Sequence, residues 1–464
     1  MEEVREIALN ENIIATLDTI VETVLGSDKA TITLRDRASG EIIYSYRGEH
    51  LMRPASNMKI ITGATALSEL GLDFRFKTEL YLDGQIEDGT LYGDIYIKGY
   101  GDPTINEATL KLFAQKLSEQ DIQKATGMII GDDTYFTGDT LPPGVDEEGE
   151  THYYGARISP ITMSPNDDFD ASTIIIEVTA RNVGEQPDYV VIPHLSGMQI
   201  FNEALTVVND RENTLEIRRI NNTNQIKITG EIPEGESAKV WVSHQDPTKN
   251  TLQFFKVLCE QVGIQFSEQC RIVNGIIPQQ ADLIYTHESE TLEEMFSIFM
   301  KLSNNSMADI FVKTMGKLQH GVGDYAHGLQ VVQAYLEKHQ NNFEAWQFVD
   351  GSGLSHGIRL HSNGISQLLF KLQKEPYFPQ FFASLPVAGN TDRLIGGTLK
   401  DRFLEPELQN TIFAKTGYIH EVNTLSGYVT GESGRDYIFS IMLEGREEGI
   451  PFLDEGLKSM IVYL

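Results

Sequence analysis

The sequence is short of cysteine, of basic residues and of long apolar runs. Its two cysteines, Cys259 and Cys270, cannot supply a disulfide framework or a four-cysteine zinc site. A single bridge between them is open, and a pair of buried thiols is the simpler reading. Lysine and arginine number 37 against 67 aspartates and glutamates, a formal net charge of −30. Such a chain does not grip nucleic acid through a broad basic surface, and anionic lipid repels it. No run approaches about 18 consecutive apolar residues, so no transmembrane segment is expected. The opening Met1-Glu2-Glu3 lacks the basic start and apolar core of an export signal.

Several chemical signatures are also missing. Eleven histidines include no His-Glu-x-x-His pair, so no metal is expected. His320 and His327, seven apart, could at most stack on one helix face. There is no Gly-x-x-x-x-Gly-Lys-Ser/Thr phosphate loop. Gly99-Tyr100-Gly101-Asp102 lacks the third glycine of a dinucleotide fingerprint and reads as a turn, so no cofactor is expected. No Gly-x-Ser-x-Gly elbow is present, which removes the serine nucleophile of one large hydrolase class. No internal repeat or low-complexity tract occurs.

What is present is a chain of 464 residues, 41% of them hydrophobic, enough for two to four domains with real cores at about 100–200 residues each. Ile13, Ile14, Leu17, Ile20, Val21 and Val24 have helical spacing. Ile32 and Leu34, a turn at Ala38-Ser39-Gly40, then Ile42, Tyr44 and Tyr46 predict a β-hairpin. Ile60, Ile61, Ala64 and Leu67 return to helical spacing. Residues 79–135 are strand-like and turn-rich, and 172–244 read as all-β. A helix follows through Leu252, Phe255, Leu258, Cys259 and Val262. Thr291 with Glu294 forms a capping box for a helix bearing Leu292, Met295, Phe296, Phe299 and Met300. Thr424–Thr430 and Tyr437–Leu443 predict paired strands before a terminal helix. Both ends are thus mixed α and β around a β-rich middle, as expected of one α/β domain built from both termini with an insertion between.

Three short motifs carry chemistry. Ser56-Asn57-Met58-Lys59 sets a hydroxyl and an ammonium three residues apart, one turn of a helix that Pro54 would begin. Serine needs a base to become a nucleophile, and lysine serves only if desolvation or a nearby cation lowers its pKa. Alone, the pair is equally an exposed serine beside a surface lysine. Ser303-Asn304-Asn305 ends the capped helix, where polar groups can enter a cleft; its bland reading is an ordinary helix terminus. Lys415-Thr416-Gly417 follows Ile412-Phe413-Ala414; its bland reading is a strand lysine before a glycine bulge. A second cation near Lys59 would depress the latter's pKa, and Lys-Thr suits a substrate carboxylate.

In this order the motifs resemble those of the penicillin-recognising serine enzymes. The 247 positions from Ser56 to Ser303 are far more than in β-lactamases. The chain resembles the class C low-molecular-mass penicillin-binding proteins, D-alanyl-D-alanine carboxypeptidases and endopeptidases, with two domains inserted after the first motif. Lys98–Thr104, Gly131-Asp132-Asp133, Tyr154-Gly155-Ala156 with Asn166, Val349–Leu354, Leu385–Gly389, and Gly397-Thr398-Leu399 with Arg402 extend the likeness across nearly the whole chain. The resemblance implies an α/β (α+β) fold. Its penicillin-binding transpeptidase-like domain, an antiparallel sheet covered by helices, comprises 1–78 and 285–464. One inserted β-rich domain comprises 79–171 and 245–284, and an all-β one 172–244.

It also implies roles. Ser56 is the acylated nucleophile and Lys59 its base. Ser303 relays a proton to the leaving group, and Asn305 holds Lys59 and the substrate amide. Lys415 is the electrostatic partner. Thr416, with Gly417 and Tyr418 beside it, binds the substrate's terminal carboxylate. The backbone N–H groups of Ser56 and Tyr418 form the oxyanion hole. Tyr418 departs from the small hydroxyl residue usual in relatives. Asp146-Glu147-Glu148 falls where relatives place a stem-peptide subsite; its bland reading is a solvated loop. The implied substrates are peptidoglycan stem peptides ending in D-Ala-D-Ala, and crosslinks between D-Ala and a diamino acid; β-lactams are the implied inhibitors. The implied location is extracytoplasmic, with the export signal not visible in this chain. A β-lactamase or esterase on the same core, and a non-catalytic scaffold that binds wall peptides, are the alternatives. The oligomeric state is left open.

Overall fold

The computed structural model describes residues 11–146, 148–194 and 197–464. The chain divides into two compact units: Met1–Asp73, Leu292–Asn304 and Tyr325–Leu464 form the first, and Phe74–Thr291 with Asn305–Asp324 the second.

The first unit is organised by a five-stranded antiparallel sheet in the order Ile412–Ile419, Val422–Thr430, Asp436–Glu444, Ala30–Asp36, Ile42–Tyr46. The expected N-terminal hairpin and C-terminal strand pair both form, and they join where Ile32 lies opposite Ile441. One face is apolar. Ile32, Leu34, Leu425, Phe439 and Ile441 share a core with Leu17 of the helix Glu11–Ile20 and with Leu453 and Leu457 of the helix Ile450–Ile461. The other face carries a cross-strand row of Lys415, Ser426, Ser440 and Thr33. Small hydroxyls there leave room for helices, and each finds a partner as burial requires. Ser426 donates to Ser440 at 2.8 Å, Asn57 Nδ2 donates to Ser426 at 2.8 Å, and Thr33 meets Ser362 at 2.9 Å. The helix Met58–Glu69 is buried from Met58 through Leu67.

The second unit has a seven-stranded sheet built around Arg75–Glu87, Thr90–Gly99 and Asp282–Thr291. The helices Glu107–Ser118 and Pro247–Gln261 bring Leu110, Phe113, Leu252, Phe255 and Leu258 into its core. Residues 174–242 contribute a separate apolar cluster that includes Ile174, Ile176, Ile226, Ile228 and Val242. Ser237–Ser243 pairs with Thr173–Thr179 there, as the β-branched runs predict. Cys259 and Cys270 are free thiols. His320 closes the helix Asn305–His320 and His327 lies in the next, Tyr325–Lys338, so the two share no helix face. Among the described residues, no helix is long and apolar enough to cross a membrane.

Candidate active site

Ser56 sits in a single tight turn, Ala55–Asn57, that runs straight into the helix Met58–Glu69. The helix therefore starts at Met58 rather than at Pro54. Ala55 has φ 46°, a left-handed conformation that a non-glycine residue seldom adopts and that marks a constrained turn. Lys59 follows one turn on. Its Nζ donates to Ser56 Oγ at 2.9 Å and to the Ser352 carbonyl at 2.7 Å. Lys59 is wholly buried while Ser56 is half-buried, so the hydroxyl opens outward and the amine stays behind it.

Lys415 lies in the edge strand Ile412–Ile419, also wholly buried. Its Nζ donates to Ser303 Oγ at 2.8 Å and to the Thr416 carbonyl at 2.9 Å. Burial pushes this ammonium well below the usual lysine value, and the charge of Lys59 pushes the same way. Ser303, at φ 59°, turns the chain between the helices Leu292–Lys301 and Asn305–His320. Thr416 Oγ1 lies 2.7 Å from Thr398 Oγ1. A Cβ on Gly417 would stand 2.2 Å from Thr424 Oγ1 and 2.9 Å from the Pro54 carbonyl. Only glycine lets this strand lie against the turn that carries Ser56, and Thr424 ties the two by donating to Pro54 O at 2.8 Å. Tyr418 follows with 56% of its surface exposed.

The first unit thus brings Ser56 to Lys59 and Ser303 to Lys415. Asn305 opens the next helix and belongs to the second unit, where its Nδ2 donates to the Tyr154 carbonyl at 3.0 Å. Of the acidic run, Asp146 accepts the Gly149 N–H at 2.7 Å, and Glu147 lies outside the described residues.

Two contributors carry no role in the sequence reading. Thr398 pairs with Thr416, and the loop around Asp350 reaches Lys59 through Ser352. Burial pushes the Asp350 carboxyl up, against the opposing pull of backbone N–H donors and of Lys59. Val349-Asp350-Gly351-Ser352-Gly353 has the composition of a turn. That composition says nothing of which distant helix the turn meets.

Two hydroxyl–lysine pairs on a helix-covered antiparallel sheet, drawn from both ends of the chain, make the architecture of a penicillin-recognising serine enzyme. The chain belongs to the D-Ala-D-Ala carboxypeptidase 3 (S13) family, whose profile matches residues 13–455. It is 32% identical over 441 residues to a D-alanyl-D-alanine carboxypeptidase of Actinomadura sp. (strain R39), covering 94% of this chain and 81% of that one. Its fold matches penicillin binding protein 4 (dacB) from Haemophilus influenzae with a TM-score of 0.81 at 21% identity, over 95% of this chain and 98% of the other. The same protein complexed with a β-lactam matches with a TM-score of 0.76 at 21% identity, over 97% and 99% of the two chains.

Proposed function

We propose that the protein is a serine-type D-Ala-D-Ala carboxypeptidase that acts on peptidoglycan stem peptides through an acyl-enzyme at Ser56. The observation that carries this reading is the 2.9 Å contact between Ser56 Oγ and the solvent-free Lys59 amine. Neutral Lys59 takes the hydroxyl proton as Oγ attacks the carbonyl between the two D-alanines. The backbone N–H groups of Ser56 and Tyr418 receive the developing oxyanion, a service worth about 2.7–4 kcal/mol per donor. Ser303, hydrogen-bonded to Lys415, passes a proton to the departing amine. Thr416, beside Gly417 and Tyr418, takes the terminal carboxylate of the substrate. Water then hydrolyses the ester and returns Ser56 to its free form.

A β-lactam enters the same chemistry, but its opened ring stays attached and obstructs the water, so the adduct persists. Peptidoglycan lies outside the cytoplasmic membrane, so the enzyme works there. The same site serves crosslinks in which the second amine belongs to a diamino acid. Incubation with a muropeptide ending in D-Ala-D-Ala should release free D-alanine. Absence of D-alanine together with absence of any covalent penicillin adduct would favour the peptide-binding scaffold.

A further inference from the structure

Asp350 is fully buried, and both of its oxygens accept backbone N–H groups of its own loop. Oδ1 takes Ser352 N–H at 3.0 Å and Gly353 N–H at 2.6 Å, and Oδ2 takes Ser355 N–H at 2.7 Å. The carbonyls of the same loop face the helix Met58–Glu69. Gly351 O accepts from Thr62 Oγ1 at 2.7 Å, and Ser352 O accepts from Lys59 Nζ at 2.7 Å. Two consecutive peptide units are therefore held at both ends. The 351–352 peptide runs from Asp350 to Thr62, and the 352–353 peptide runs from Asp350 to Lys59. Gly353 closes the loop at φ 88°, where a Cβ would stand 1.8 Å from the Ala55 carbonyl.

We propose that Asp350 is a positioning residue for the base, acting on Lys59 through the 352–353 peptide; this rests on the acyl-transfer reading above. A neutral amine has one lone pair. To accept the Ser56 proton, that lone pair must point at Oγ while the N–H groups point elsewhere. The Ser352 carbonyl captures one N–H and so helps to fix the rotation of the amine. Asp350 fixes the carbonyl in turn, by accepting the Gly353 N–H at the other end of the same peptide. Thr62 anchors the neighbouring peptide, through the Gly351 carbonyl.

The test compares wild type, Asp350→Asn and Thr62→Val for benzylpenicillin acylation, separating the non-covalent binding constant from the acylation rate constant, with a thermal melt on each. Asp350→Asn keeps one oxygen but turns an N–H₂ group toward a loop donor. Its acylation rate constant should fall by about ten- to a hundredfold while binding is unchanged, the cost of a slightly misplaced reacting group. Thr62→Val should acylate within about threefold of wild type, even where its melting temperature drops as far. Wild-type acylation by a folded Asp350→Asn protein would overturn the proposal. So would an equal loss in Thr62→Val, which would mean general loosening of the loop. A wild type that labels while both variants match it contradicts this inference alone; a wild type that does not label at Ser56 overturns the acyl-transfer reading and this one with it.

Discussion

Two lysines buried without solvent access, each on a serine hydroxyl, set the chemistry at the scale of single residues. Burial disfavours the ammonium form of Lys415, and the mutual repulsion of Lys59 and Lys415 disfavours protonating both. Lys415 should therefore lose its proton well below the ordinary lysine range. Acylation by penicillin should speed up as pH rises, because Lys59 must be neutral to act as base; a profile flat from about pH 6 to 9 would contradict that role. Lys59→Arg should not acylate, since a guanidinium keeps its proton. Gly353→Ala adds a Cβ where φ is 88° and the Ala55 carbonyl is 1.8 Å away. It should cost about 2 kcal/mol or more of stability and slow acylation, because the clash pushes on the turn that presents Ser56. A melting temperature equal to wild type would refute that contact.

At the scale of elements, the β-branched segment around residues 172–244 has an apolar cluster of its own and carries none of the three motifs. We propose that it folds as a separate module. A short Gly/Ser linker in its place should leave penicillin acylation detectable, and loss of acylation in a variant still folded by circular dichroism would show that the module helps to build the site. The strands were legible wherever alternation met a turn, as in the hairpin of Ile32, Leu34, Ile42 and Tyr44. The helix Asn305–His320 was not. It is buried from Ser306 through Gly316, with Asp309 and Lys313 inside, so it shows no clean apolar stripe. The catalytic motifs were legible because each is local. The bridge from Asp350 to Lys59 was not, because it runs through backbone groups that the sequence does not distinguish.

At the scale of the whole molecule, the motifs of one reaction are spread from Ser56 to Lys415, and folding brings together in the first unit both hydroxyl–lysine pairs. The formal charge of −30 belongs to the whole chain, whereas the reaction is set locally by two enclosed lysines. A β-lactamase on this core would need a second base to clear the acyl group. Five glutamates lie between the second and third motifs, Glu337, Glu344, Glu375, Glu405 and Glu407; Glu375 is engaged with His339 at 3.0 Å and Glu405 with Lys458. The most direct measurement is intact-protein mass spectrometry after mixing with benzylpenicillin and removing the excess, with peptide mapping of the product and Ser56→Ala alongside. The wild-type mass should rise by one whole penicillin molecule, the addition should map to Ser56 and persist for many minutes, and the alanine variant should show none. An adduct on Ser56→Ala, no adduct on the wild type, or rapid return to the unmodified mass with catalytic turnover of penicillin would contradict the account.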